Sequence, residues 1–198
     1  MNLLREYIRE LLTESIDSKM MELIDRLEEK GWKIKLLNDT AILFNPAGLG
    51  VPDVKVNQGT IAWSAPDKYD YGPCFGANII DSSYAAGGLG PVLYDVAIEA
   101  SGDKGLTSDR FSVSPAAAGV WDYYMNNRAD VQIVQMDNEE NLLTPGDGDN
   151  CNQDVSTLDV GTKIKHGWVD SSLSKVYKKA GTPVMDELER RGLLVGRK

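Results

Sequence analysis

The sequence predicts an α/β chain: a mixed, mostly antiparallel sheet flanked by helices, with extra helices at both ends. Three observations point there. Apolar residues alternate over 32–37, 40–44 and 60–63 with turn-forming residues between, as successive antiparallel strands do. From residue 77 onward, strand and helix patterns alternate, which brings helices onto the faces of a sheet. Between them, the small residues 85–90 lead from a strand directly into a helix opening with Pro91.

The bulk numbers narrow the class. A chain of 198 residues fits one substantial domain with appendages. Its hydrophobic content of 42% and charged content of 26% are those of an ordinary globular protein. A net charge of −9 argues against general nucleic-acid binding and leaves a small molecule or a basic protein as partner. No apolar run approaches the roughly 18 residues that a membrane span needs, so no membrane partner is expected. Cys74 and Cys151 are too few for a disulfide framework and lack metal-ligand spacing. A reduced, cytoplasmic setting follows as the expectation. With His166 as its one histidine, the chain is a poor candidate for a zinc site or a histidine-activated nucleophile, and no metal is expected.

Residues 1–14 read as an amphipathic helix, with Leu3, Leu4, Tyr7, Ile8, Leu11 and Leu12 on one side. It would dock on its own domain or on a second copy. A second helix runs from Ser15 to Lys30 with Met20, Leu23, Ile24 and Leu27 as its stripe, and Gly31 stops it. Residues 32–37 and Thr40–Phe44 form a hairpin about Asn38-Asp39. Thr60–Trp63 is the next strand, between loops 45–58 and 65–73. Ala77–Asp81 then runs into the glycine loop. The helix behind it carries Val92, Leu93, Val96, Ala97 and Ala100 on one buried face. Gly105–Ser108 gives a short strand. Ser112 or Ser114 caps a helix from Pro115 to Asn127, with Ala117, Val120, Trp121 and Tyr124 buried. Val131–Met136 is a strand, 137–160 a long polar loop, and 162–168 a further strand. Helices over Ser171–Lys179 and Pro183–Arg191 end the chain.

The loop Ala85-Ala-Gly-Gly-Leu-Gly90 is where chemistry is most legible. A loop without long side chains at a helix N-terminus presents unpaired N–H groups beside the positive end of the helix dipole, which suits a phosphate. The same glycines also serve a plain tight turn, and spacing alone does not separate the two. No Gly-Lys-Ser/Thr follows, and the dinucleotide fingerprint is incomplete.

Around this loop the sequence resembles the GNAT acyltransferase superfamily, whose cofactor loop reads roughly Val-x-x-x-Tyr-Arg-Gly-x-Gly-Ile/Leu-Gly before a helix. Ile80, Tyr84, Gly88, Leu89 and Gly90 fall in register with it, while Ala85 and Ala86 stand at its basic and first glycine positions. The resemblance implies that Gly87, Gly88, Leu89, Gly90 and Pro91 hold the pyrophosphate of acetyl-coenzyme A as cosubstrate. It also implies that the backbone of the preceding strand, Ile79 and Ile80 included, carries the pantetheine arm. The family's Asn-x-x-Ala-x-x-x-Tyr pattern meets Ser114 to Trp121 here, so tryptophan replaces the proton-donating tyrosine. Tyr124, one turn on, is the nearest phenol; a core aromatic is its other reading. Asp81 is either a base, or the holder of a base water, or a turn former bonding the Ser83 or Tyr84 amide. Arg110 of Asp109-Arg110 either meets a cofactor phosphate or makes a local ion pair. The acidic run 147–154 departs from the calcium-loop pattern at Cys151 and Asn152.

The implied organisation is a possible targeting tag at 1–14, a GNAT-like domain over 15–168 and a helical C-terminal extension over 169–198. The tag reading rests on a resemblance of Leu12-Thr13-Glu14, and of Ile8-Arg9-Glu10, to removable capsid-targeting peptides of large tailed phages. The function implied is transfer of an acetyl group to a small-molecule or protein amine. The alternative is a virion or capsid-associated protein that keeps the fold for binding, with residues 1–14 contacting the capsid or a second copy. Host cytoplasm or virion would then be its location.

Overall fold

Residues 16–50, 56–66, 72, 74–136, 151 and 170–197 are described by a computed structural model. The expected helix over 1–14, the strand over 162–168, His166 and the acidic run apart from Cys151 lie outside the described residues.

Helix α1 (Ser18–Glu29) starts at Asp17, whose carboxylate accepts from the amides of Lys19 and Met20 at 3.1 and 3.3 Å. It buries Met20, Ile24 and Leu27, the expected stripe apart from half-buried Leu23. Strands β1 (Lys33–Leu37) and β2 (Thr40–Phe44) form the antiparallel hairpin, with Asn38 taking the left-handed turn at φ 45°. Then come β3 (Asn57–Ser64), β4 (Asn78–Ala85), helix α2 (Gly90–Ser101) and the two-residue β5 (Leu106–Thr107). Helix α3 (Pro115–Asn127) is capped by Ser114, whose hydroxyl accepts from the Ala117 amide at 3.2 Å. Strand β6 (Val131–Gln135), β7 (Lys175–Lys179), helix α4 (Pro183–Arg190) and β8 (Leu194–Val195) complete the order.

The eight strands form one curled sheet in the order β6-β7-β5-β4-β3-β2-β1-β8. Only the β4/β5 and β1/β8 pairs are parallel. The fold is therefore mixed α/β with a mostly antiparallel sheet, as the alternation predicts.

The C-terminal stretch departs from expectation. Ser171–Lys179 is not a helix but a 3-10 turn at Ser172–Ser174 followed by β7. Strand β7 lies between β5 and β6, and both neighbours supply its backbone partners. Strand β8 pairs with Ile34 and Lys35 of β1 and is too short to leave a periodic signal. Residues 170–197 thus fill the interior and one edge of the sheet.

Helix α2 is enclosed on every side, from Val92 to Glu99, whereas Ala100, expected on its buried face, is exposed. Its two acidic residues enter a buried ion network. Arg128 grips Asp95 with two guanidinium nitrogens at 2.9 and 3.2 Å, and Lys179 of β7 reaches Asp95 at 3.0 Å and Glu99 at 2.6 Å. Glu99 also accepts from the amides of Val184 and Met185 at 3.0 and 2.8 Å, so it caps α4. Thr182, the residue before α4, makes no side-chain cap bond. Buried charges persist only where each is paired and hydrogen-bonded, and these are.

Cys74 and Cys151, expected as free thiols, form a buried disulfide with Cα atoms 4.3 Å apart. Their separation of 77 residues carried no hint of proximity. Among the described residues, no helix is long and apolar enough to cross a membrane.

Candidate functional site

The cleft originates in how β4 is paired. Strand β5 accompanies it only through Asn78↔Leu106 and Ile79↔Thr107, while β3 follows it as far as Ala85. Beyond Ile79, therefore, the β5 side of β4 has no neighbouring strand among the described residues. Its pairing with β3 also slips once: Trp63 faces Ile80 and Ala62 faces Ser82, so Asp81 is the extra residue of a β-bulge. Bulges bend the strand and re-aim its side chains.

Two chambers occupy the opening. One, of about 390 Å³, lies between Ser83–Ala85, the glycine loop at Gly88 and Gly90, and the first turns of α2 and α3. The other, of about 260 Å³, is lined by Ile80, Asp81, Asp109, Val113 and Trp121 among others. Ser83, Tyr94, Ser114 and Ala117 line both chambers, so the two adjoin.

The glycine loop leaves part of its backbone unused. Ala86 donates to the Gln58 carbonyl at 2.7 Å, Leu89 to Ala86 at 3.3 Å, and Val92 to Leu89 at 3.2 Å. The amides of Gly87, Gly88 and Gly90 have no acceptor among the described residues, and Pro91 has no N–H to offer. Leu89 is fully buried, a plug beneath the loop, whereas Gly87 and Gly88 are exposed at φ 65° and 70°. Gly59 supports this geometry from β3. A Cβ there would lie 2.8 Å from the Tyr84 carbonyl oxygen and 2.9 Å from the Ala85 Cα.

Two cations flank the loop, both from a part of the chain that the sequence reading did not connect with it. Arg26, on α1, donates to the Gly87 carbonyl at 2.8 Å. Lys30 sits 5.0 Å over the Trp32 ring, and its Cε would be 3.4 Å from a Cβ at Gly87. Neither has a carboxylate partner among the described residues. Together with the α2 N-terminus they make the surroundings of the loop electropositive, although neither side chain lines either chamber.

The second chamber is acidic. Asp81 is exposed and accepts from the Ser64 hydroxyl at 2.8 Å rather than from the Ser83 or Tyr84 amide. Asp109 accepts through one oxygen from the amides of Phe111 and Ser112 at 2.7 and 3.2 Å. Burial raises its carboxyl above the usual range; those amides oppose the rise and the charge of Asp81 adds to it. Tyr94, buried on α2, has its phenol oxygen 2.9 Å from the Ser83 hydroxyl and its ring edge-on to Trp121 at 5.1 Å. Burial, against the Ser83 bond, raises its phenol, which keeps the proton at neutral pH.

The remaining sequence-predicted residues fall as follows. The side chains of Ile79 and Ile80 are buried in the core. Tyr124 is fully buried and lines neither chamber; its hydroxyl donates to the Pro91 carbonyl at 3.2 Å, and the Arg128 guanidinium sits 4.9 Å over its ring. Trp121 stacks on Tyr177 at 4.7 Å and forms a wall of the acidic chamber. Arg110 is buried away from the loop, donating to the carbonyls of Leu173 at 2.7 Å and Cys151 at 2.8 Å. The sequence reading missed Tyr94. A tyrosine one turn into the helix behind a glycine loop was the signal that could have found it. Comparison of the chain with family models, with curated proteins and with solved structures gives no match in any of the three.

Proposed function

We propose that the chain is a GNAT-like N-acyltransferase that takes an acetyl group from acetyl-coenzyme A and passes it to an amine. The observation that carries this reading is the set of three unpartnered amides, Gly87, Gly88 and Gly90, at the mouth of a cleft that opens where β4 parts from β5. Further support comes from the order of elements through β6, which follows the order the family resemblance implies.

Each end of the cleft has a part in the reading. The three amides, Arg26 and Lys30 receive the diphosphate, Arg26 and Lys30 standing in for the cation that Ala85 does not supply. The edge of β4 beyond Ile79, unpaired on that side among the described residues, offers main-chain groups to an amide-bearing arm, which binds as an added strand would. The acyl donor supplies the thioester. Attack by the amine forms the C–N bond and breaks the C–S bond; the amine loses a proton and the thiolate gains one. Asp81, or water bound to it, accepts the amine proton, and Tyr94, held by Ser83, is the phenol placed to donate.

Calorimetric titration with coenzyme A and acetyl-coenzyme A tests the reading. Binding is expected in the wild-type chain and lost in Gly88→Glu, which puts a carboxylate where the diphosphate would lie. Thiol release with an amine panel then tests transfer. No heat of binding at millimolar coenzyme A would refute the proposal.

A further inference from the structure

Cys74 and Cys151 are the chain's two cysteines, and the bond between them reaches two walls of the acidic chamber. One wall is β4 from Ile80 to Ser83; the other is the segment after β5, through Asp109, Ser112, Val113 and Ser114. Cys74 leads into the first wall. Its carbonyl accepts from the Ala77 amide at 2.9 Å, and Asn78 opens β4. Ala77 and Ile79 pack in one small apolar cluster with the two cysteines, Met136 and Val176. Successive strand side chains point to opposite faces, so Ile79 belongs to that cluster while Ile80, the next residue, lines the chamber. Cys151 serves the second wall. Its carbonyl accepts from Arg110 at 2.8 Å, and the same guanidinium reaches the Leu173 carbonyl at 2.7 Å. Arg110 is buried and follows directly on Asp109, whose carboxylate holds the Phe111 and Ser112 amides.

The bond also holds a costly backbone. Cys74 and Phe75 both lie in the left-handed region, at φ 44° and 51°, and neither is a glycine. Such conformations persist where the surroundings impose them, and they gather at active sites and switch regions. Phe75 is 58% exposed, so its side chain does little to hold the turn, whereas Cys74 is fully buried. Both cysteines belong to a cluster separate from the main core, so this corner can open without unpacking that core.

We propose that the Cys74–Cys151 bond is a redox switch for the cleft: intact, it fixes β4 and the Asp109 turn relative to each other; reduced, it releases both and weakens the grip on a ligand lying between them. The reductant is a dithiol. It gives two electrons and two protons, the Sγ–Sγ bond breaks to two thiols, and the dithiol closes to its own disulfide; a disulfide oxidant reverses the step. The switch rests on the acyltransferase reading only for the identity of the ligand that it regulates.

The test compares the full wild-type chain oxidised, reduced with dithiothreitol, and reoxidised. Its readouts are deuterium uptake at the Phe111 and Ser112 amides and titration with desulfo-coenzyme A, which carries no thiol to exchange with the bond. Reduction without denaturant should quicken uptake at those amides about tenfold and weaken the ligand about tenfold, and reoxidation should restore both. The Cys74→Ala/Cys151→Ala variant should match the reduced protein and ignore dithiothreitol. A cross-link that only constrains the unfolded chain would lower the melting temperature and leave the folded protein's uptake unmoved. Unchanged uptake therefore overturns the switch, as does quickened uptake with unchanged affinity, or a native bond that dithiothreitol does not reduce. Absence of desulfo-coenzyme A binding in every form sinks the acyltransferase reading instead, and uptake then decides the switch alone.

Discussion

Tyr94 and Tyr124 show how one residue type divides by environment. Both phenols are buried and both keep their protons, but only Tyr94 faces open space. If Tyr94 donates to the leaving group, Tyr94→Phe should lower kcat by about 100-fold or more while coenzyme A affinity stays within twofold. Tyr124→Phe should behave differently. It removes one hydrogen bond, to the Pro91 carbonyl, so a loss of about 1 kcal/mol in urea unfolding is expected with little change in kcat. At this scale the sequence was informative where backbone geometry is written into residue type. The glycines and Pro91 announced a turn into a helix. Arg26 was illegible because its contact with Gly87 spans 61 residues and depends on how α1 docks.

Among elements, α2 and β7 are bound by chemistry that periodicity cannot display. A helix face is read from apolar residues, yet α2 also buries Asp95 and Glu99, and β7 buries Lys179. Charged residues suggest solvent, yet pairing with β5 and β6 holds the lysine-bearing β7 inside the sheet, where a helix over Ser171–Lys179 was expected. Asp95→Asn should cost about 3–5 kcal/mol in urea unfolding, because Arg128 and Lys179 are left buried without their shared carboxylate charge. The network also has a pH signature. Burial by itself would lower the Lys179 pKa, but Asp95 and Glu99 outweigh it and raise it above the ordinary 10.5. A cation with a raised folded pKa stabilises fully below the unfolded value. That contribution should persist to about pH 10 and fade as pH climbs through the folded value. Alkaline melts of wild type and Lys179→Met check this, since the variant should lack that loss.

For the whole molecule, the alternation of elements disclosed the class of fold, and the tight Asn38-Asp39 turn disclosed the antiparallel β1–β2 pair. Long-range closure stayed hidden. Nothing in the local pattern placed β7 between β5 and β6, set β8 beside β1, or joined Cys74 to Cys151. A cross-link over 77 residues lowers unfolded-chain entropy by about 4 kcal/mol in free-energy terms. The Cys74→Ala/Cys151→Ala variant should therefore melt about 10 °C below the oxidised wild type, and an unchanged melting temperature would mean the pair contributes nothing to solution stability.

The enclosure of α2 has one more consequence. Its head supplies the free Gly90 amide, and its tail carries Glu99, which receives the amides of Val184 and Met185. A rod clamped at one end and open at the other transmits whatever grips the open end. Occupancy at the loop should slow deuterium uptake at those two distant amides, which makes them a remote gauge of ligand binding.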